Sequence, residues 1–166
     1  MELSNKMKVG TAYDTYTVPL NTYFEELDVN NKDFGLQGFV MKTIFDAGVA
    51  TSIGSPVGST LASGGNIVTP DQSDAGKAGV LGRGGGIAQC AVALNVTRYA
   101  WVQCRGIGRA IMLTTGALAA GDLGSWTGDD TVAVVGTDEE FAFVHALVVA
   151  AGSPLQVPAG GYLLLR

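Results

Sequence analysis

The chain has 166 residues, and its 10 Lys and Arg residues against 15 Asp and Glu residues give a formal net charge of −5. This balance argues against sequence-independent nucleic-acid binding, which depends on clustered basic residues that neutralise phosphates. Glycine supplies 24 residues, about twice its usual ~7% share, and its scatter between short apolar runs favours an all-β chain over a helical one.

The N-terminal residues and the length of the apolar runs indicate where the protein is made. The first eight residues contain neither the apolar segment nor the small-residue cleavage site of a signal peptide. No apolar run reaches the ~18 residues that a membrane span requires. We therefore predict a protein that is made in a cytoplasm and that has no membrane among its partners.

Residues 1–35 are predicted to form an extended N-terminal arm, and residues 36–166 a single β domain. The arm is polar and has no hydrophobic period, yet it holds five of the 13 aromatic residues (6 Phe, 5 Tyr and 2 Trp): Tyr13, Tyr16, Tyr23, Phe24 and Phe34. Disordered tails are usually poor in aromatic residues. We therefore expect the arm to lie against its own domain or a neighbouring subunit, with a flexible tail as the alternative.

The β domain is predicted to begin with a hairpin, whose strands cover residues 38–45 and 49–53. Residues 54–60 interrupt the alternation of side chains, and they lack both the Lys and the following helix of a phosphate-binding loop. Residues 61–86 are predicted to form a long Gly-rich loop. Its G-x-G-x-G spacing is not a dinucleotide fingerprint, because a strand rather than a helix follows it.

The most regular part of the sequence predicts a three-stranded antiparallel meander over residues 88–95, 98–105 and 109–115, with a glycine turn at 106–108. Alternation in the second strand places four residues on each face: Arg98, Ala100, Val102 and Cys104 on one, and Tyr99, Trp101, Gln103 and Arg105 on the other. The aromatic face is expected to pack on a neighbour, with Gln103 and Arg105 at its solvent-exposed end.

The two cysteines of the chain, Cys90 and Cys104, lie on strands that the meander pairs. A three-residue loop between those strands would bring them nearly opposite each other, so a disulfide is geometrically possible. Two reduced, buried thiols suit a cytoplasmic protein better.

The last third of the chain predicts further strands at residues 131–135, 141–149 and 162–166, with an edge strand around Trp126. Both faces of the 141–149 strand are apolar, which is typical of a central strand that is covered on both sides.

The residue types that carry catalysis are few. His145 is the only histidine, and its position within an apolar strand is typical of a core histidine. One His and two Cys without a Cys-x-x-Cys pair do not make a zinc site. The acidic run at 138–140 is typical of a solvated turn. We therefore predict a protein that is not an enzyme and that has no catalytic, metal or cofactor site.

Several short motifs occur in a fixed order along the chain. They are the strand pair within 39–53, the segment Gly54-Ser-Pro-Val-Gly58, the phrase Arg98-Tyr-Ala-Trp-Val-Gln103, Gly106, the apolar run 110–113, the segment 116–123 (GALAAGDL) and the late strand 144–149. In this order they resemble the pattern of tailed-bacteriophage head decoration (cement) proteins.

The resemblance implies a small, antiparallel β-barrel or β-sandwich that binds the outer surface of an icosahedral capsid and stabilises it. The implied partner is the major capsid protein, the implied location is the virion exterior, and the implied assembly is a homo-oligomer, a trimer. An extended arm covers much surface with few residues. The expected partner-binding anchors of the arm are Tyr13, Tyr16, Tyr23 and Phe24.

A carbohydrate-binding β-sandwich is the alternative function. In that case Tyr99, Trp101 and Trp126 would stack on sugars. Tyr99 and Trp101 share a strand face, as stacking requires, but an interior aromatic layer is the simpler use of the same pattern.

Overall fold

The computed structural model describes residues 7–27, 36–59, 66–71, 86–109, 123–126, 132–134, 144–148 and 162–165. Within these ranges every regular element is a β-strand, as the composition predicts. The strands are β1 (Tyr23–Leu27), β2 (Leu36–Ile44), β3 (Pro56–Ser59), β4 (Ile67–Thr69), β5 (Gly86–Ala88), β6 (Arg98–Arg109), β7 (Leu123–Trp126), β8 (Val132–Val134), β9 (Val144–Val148) and β10 (Tyr162–Leu165). A search of these residues for a helix long and apolar enough to cross a membrane finds none.

Five strands close into a barrel in the order β2, β4, β3, β5, β6 and back to β2. The closing pair is the longest: β2 runs antiparallel to β6, from Gly38 opposite Arg105 to Ile44 opposite Arg98. The pairing of β2 with β4 is parallel, which corrects the predicted all-antiparallel arrangement. The reason is that β3 precedes β4 and runs antiparallel to it, so the chain reverses twice between β2 and β4.

The described part of the predicted arm belongs to this sheet. β1 adds to β2 outside the barrel, from Tyr23 opposite Val40 to Leu27 opposite Leu36. Residues 7–22, which we name the N-terminal segment, cross the outside of the barrel, and Tyr13 exchanges two backbone hydrogen bonds with Tyr99, of 3.0 and 2.9 Å. Residues 7–27 thus lie against the chain's own domain. This was one of the two alternatives expected for the arm, the other being a neighbouring subunit.

β6 belongs to the barrel along most of its length and then leaves it. Beyond Arg105 it pairs with β10, and the order continues through β9 and β7 to β8. The predicted turn at 106–108 is therefore wrong. Gly106 has a φ of +88°, and a Cβ there would lie 2.6 Å from the Leu36 carbonyl oxygen, so the bend at which β6 leaves the barrel requires glycine. The predicted third strand, beyond Arg109, lies outside the described residues.

The later strands occur where the sequence predicts them. β9 has β10 on one side and β7 on the other, so the apolar 141–149 run does contain a strand that is central in its sheet. β7, β8 and β10 match the predicted strands around Trp126, within 131–135 and within 162–166.

The first strand of the predicted meander is shorter than expected. β5 ends at Ala88, and Val92 forms only an isolated bridge with Thr51. Because Ile87 lies opposite Gln103, Cys104 falls beside the start of β5 and not opposite Cys90. Both cysteines are free thiols, as predicted, but only Cys90 is buried and Cys104 is half-buried.

Two loop predictions also need correction. The residues predicted as an interruption, 54–60, contain β3, and the predicted Gly-rich loop, 61–86, contains β4 and the first residue of β5. The predicted strand 49–53 is reduced to the Thr51 bridge, because the Asp46 side chain accepts the backbone N–H groups of Gly48 and Val49 and holds the chain in a turn. Residues 61–65 and 72–85 of the predicted loop lie outside the described residues.

The buried core consists of two clusters, one on each face of β6, as the alternation predicted for residues 98–105 requires. Ala100 and Val102 face the barrel interior, where they meet Ile44, Val57, Val68, Ala88, Cys90 and Val92. Trp101 faces outward and is buried with Met7, Val18, Phe39 and Met41. Gln103 is 1% exposed and therefore not at a solvent-exposed end, whereas Arg105 is exposed.

Candidate binding surface

The outer cluster is an aromatic layer that the N-terminal segment covers. Trp101 is 2% exposed, and the ring centroid of Phe24 lies 4.5 Å from it in an edge-on arrangement. Phe24 also stacks on Phe39, at 5.3 Å. The Trp101 Nε1–H donates to the backbone carbonyl of Met7 at 2.9 Å. Because its faces are covered, Trp101 has no ring surface on which a sugar can stack.

Two of the four predicted anchors contribute to this covering layer. Phe24 is half-buried against Phe39 and Trp101. Tyr13 is half-buried as well, and its hydroxyl accepts the backbone N–H of Lys8 at 2.7 Å. Both side chains thus hold the N-terminal part of the chain on the barrel, and little of their surface is left for a partner.

The other two predicted anchors are exposed. Tyr16 is 47% exposed, and its ring packs against that of Tyr99 at 4.7 Å. Beside it, the carboxylate of Asp14 forms an ion pair of 3.0 Å with Arg98. Tyr23, on β1, is 48% exposed. Their roles in partner binding remain predictions, but their rings are available for contact.

Tyr23 is held in place by a small polar network. Its hydroxyl donates to Glu25 Oε1 at 2.5 Å, and the same oxygen accepts Arg105 Nη1 at 3.0 Å. The hydrogen bond to the Glu25 carboxylate raises the pKa of Tyr23 above its ordinary value. The ring lies over Gly38 of β2, where a Cβ would come within 2.6 Å of the hydroxyl oxygen. The absence of a side chain at Gly38 thus leaves the space that the Tyr23 ring occupies.

Exposed apolar side chains are concentrated near the N-terminus. Among the described residues the large exposed ones are Tyr16, Tyr23, Leu27, Leu36, Ile53 and Leu94. Tyr23 and Leu27 share one face of β1, and Leu36 lies directly opposite Leu27 on β2. We name these three residues the edge patch. Leu27 and Leu36 are not among the residues predicted from the sequence, because Tyr23-Phe-Glu-Glu-Leu27 does not alternate apolar and polar residues and the two leucines meet only through strand pairing.

Two buried polar groups outside this surface stabilise the fold. Asp46 is 5% exposed, and besides Gly48 and Val49 it accepts the hydroxyl of Thr69 at the end of β4. Lys42, 4% exposed, donates to Asn21 Oδ1 at 2.7 Å, and burial lowers the pKa of this amine. Within the described ranges no three His, Cys, Asp or Glu residues are grouped so that they could hold a metal ion.

Comparisons of the chain with protein-family models, curated proteins and solved structures find no match. The function is therefore inferred from the sequence motifs and from the surface described above. That surface consists of a covered aromatic layer, two exposed tyrosines and an apolar patch at the outer strand of the barrel sheet.

Proposed function

We propose that this protein is a virion structural protein, which binds the outer surface of an icosahedral phage capsid and stabilises it. Its partner is the major capsid protein, and it acts as a homo-oligomer, a trimer. The motif order along the chain is the first support for this proposal. Decoration of a shell is a binding function, which needs surface and repetition rather than a reactive centre.

The observation that carries the proposal is the position of the exposed apolar side chains. Four of the six among the described residues belong to the N-terminal segment, to β1 or to the strand position opposite Leu27. Leu27 and Leu36 are cross-strand neighbours, whereas Glu25 lies between Tyr23 and Leu27 on the same face of β1. Exposed apolar side chains that are grouped on one part of a soluble protein are typical of an interaction site. This surface is built on a barrel sheet, which can present it without rearrangement.

Binding to capsids provides the direct test. The purified protein is analysed by size exclusion with light scattering and is then mixed with empty heads of the phage or prophage whose genome encodes it. We expect an oligomer that co-sediments with the heads and raises their melting temperature. Heads saturated beforehand with unlabelled protein are the control for non-specific pelleting. A protein that neither co-sediments with heads nor stabilises them would refute the proposal.

Point substitutions are better than truncation for mapping the contact. Deletion of residues 1–30 would weaken shell binding if the arm is the anchor, but the deletion also removes β1 and uncovers Trp101. Weaker head binding by the truncated protein could then result from this loss of stability as well as from the loss of an anchor. Substitutions at exposed side chains avoid this difficulty.

A further inference from the structure

Residues 7–27 lie outside a barrel that is closed without them. We name these residues, the N-terminal segment and β1 together, the flap. The ring of β2, β4, β3, β5 and β6 is complete, and β1 is added beside one end of β2. We propose that the flap opens from the barrel as one unit, and that contacts between Asn21, Lys42 and Asn66 form a latch that keeps it closed. Opening uncovers the aromatic layer.

The flap is held on the barrel by few buried side chains. Within residues 7–27 only Met7 and Val18 are buried, and β1 consists of four exposed residues and the half-buried Phe24. By contrast, all four residues of the barrel strand β3 are buried. Regions with few buried apolar contacts open at a lower free energy than the core of a protein. The flap is therefore expected to open more readily than the barrel unfolds.

The two parts of the flap are coupled because they pack into the same cluster. Met7 and Val18 of the N-terminal segment and Phe24 of β1 all pack in the outer cluster with Trp101. The inner cluster is separate, and Ala12 is the one residue of the flap that packs against it. Detachment of either part exposes side chains that the other part also covers. Opening should therefore involve both parts together and leave the barrel interior intact.

The latch lies where β2 exchanges one neighbour for another. Because β6 occupies one side of β2, the flap and β4 share the other side. The flap pairs with β2 as far as Met41, whose carbonyl accepts the Asn21 N–H at 2.8 Å. The pairing with β4 begins with the Thr43 N–H, which donates to the Asn66 carbonyl at 3.0 Å. Asn21 of the flap and Asn66 of the barrel thus flank Lys42.

The side chains of these three residues connect the flap to the barrel. Asn21 Nδ2 donates to Asn66 Oδ1 at 2.5 Å, and Lys42 Nζ donates to Asn21 Oδ1 at 2.7 Å. Lys42 is 4% exposed. Removal of an acceptor from a buried donor costs more than the exchange of a surface hydrogen bond for water. The two ion pairs between the flap and β6 are at the surface, where such pairs contribute little.

Hydrogen exchange under native conditions, at low concentrations of urea, tests the proposal. Asn21→Gly removes the carboxamide but keeps a residue that tolerates the φ of +64° at this position. Asn95→Gly is the matched control, since Asn95 also has a positive φ, +59°, and lies in the turn before β6, outside the flap. Asn66→Ala removes the barrel side of the latch. Circular dichroism checks the folding of each variant.

We expect the protected amides of residues 7–27 to share one opening free energy, lower than that of the amides of β5 and β6. Asn21→Gly should accelerate exchange throughout the flap by about tenfold, the equivalent of one lost hydrogen bond. Asn66→Ala should accelerate it by less, because the bond between Lys42 and Asn21 remains. Asn95→Gly should leave exchange in the flap unchanged.

Two results would overturn the proposal. Exchange of the flap only together with β5 and β6 would show that it does not open as a separate unit. Acceleration by Asn21→Gly that is confined to the residues next to position 21 would show that these contacts are not a latch. The measurement uses the protein without heads, so its outcome does not depend on capsid binding.

Discussion

The indole N–H of Trp101 donates a hydrogen bond to the backbone carbonyl of Met7, 94 residues earlier in the chain. Together with the buried Met7 side chain, it holds the beginning of the N-terminal segment on the aromatic layer. Trp101→Phe keeps most of the ring but leaves the buried carbonyl without this donor, and we expect a loss of about 1–3 kcal/mol in the free energy of unfolding. Urea denaturation measures the loss, and hydrogen exchange should accelerate in residues 7–22. Unchanged exchange in that segment would contradict this role.

Asp46 links the turn after β2 to the end of β4, and its removal should lower the stability of the barrel. Its carboxylate accepts the backbone N–H groups of Gly48 and Val49 and the hydroxyl of Thr69. Hydrogen bonds to a charged group contribute about 1.5–3 kcal/mol each. We expect Asp46→Ala to lower the free energy of unfolding by about 3 kcal/mol or more, and Asp46→Asn by less, because one carbonyl oxygen remains. Equal losses in the two variants would show that the acceptor oxygens are not the cause.

Gly86 and Gly48 provide a matched pair of glycine substitutions. A Cβ at Gly86 would lie 2.1 Å from the Gln103 backbone oxygen, which cannot move without separating β5 from β6. A Cβ at Gly48 would meet its nearest neighbour at 3.4 Å. We expect Gly86→Ala to abolish or severely weaken folding, and Gly48→Ala to change stability by less than about 1 kcal/mol. Thermal unfolding followed by circular dichroism distinguishes them, and a stable Gly86→Ala barrel would refute the close approach.

The buried thiol of Cys90 makes the free energy of unfolding depend on pH in the alkaline range. Burial raises the pKa of its thiol from 9.0 to about 11. The unfolded chain therefore loses this proton at lower pH than the folded chain, so the contribution to stability is complete below pH 9 and is lost as the pH approaches 11. Urea unfolding under reducing conditions at pH 8 and pH 10.5 should show a smaller pH-dependent loss for Cys90→Ala than for the unaltered protein. Equal losses of stability in the two proteins would mean that burial does not raise the pKa of the Cys90 thiol.

The four predicted anchors should divide into two classes on substitution. Tyr16→Ala and Tyr23→Ala remove exposed rings, so we expect weaker binding to heads with little change in stability. Phe24→Ala removes a ring that packs on Phe39 and Trp101. For that variant we expect a loss of about 2 kcal/mol or more in the free energy of unfolding. Head binding and urea denaturation of all three variants give the comparison; a Phe24→Ala protein of normal stability would contradict its place in the layer.

The parts of the fold that the sequence predicted correctly have a strict alternation of side chains. Within β6, Ala100 and Val102 face the barrel interior and Trp101 faces outward, as the period of two requires. β9 was recognised as central because both of its faces are apolar. The all-β class followed from glycine content and short apolar runs. These signals are local, so one sequence is enough to detect them.

What the sequence could not predict depends on distant partners. β4 has three residues, and its place beside β2 is defined by backbone hydrogen bonds from Thr43 to Asn66 and from Phe45 to Val68. Nothing within such a short strand indicates a parallel neighbour. The glycines at 106–108 are typical of a turn, and only the closeness of the Leu36 carbonyl explains Gly106 within a continuous strand. The edge patch was missed because Leu27 and Leu36 meet only through strand pairing.

The order of the strands has a consequence for synthesis on the ribosome. β6 is the last barrel strand in the sequence, and it closes the barrel by pairing with both β2 and β5. A growing chain therefore carries β1 to β5 without their closing partner, and its N-terminal segment lacks the tryptophan that it later covers. Contacts between residues so far apart in sequence slow folding and leave strand edges open to association. Newly made chains are thus most exposed to aggregation until residue 105 has emerged.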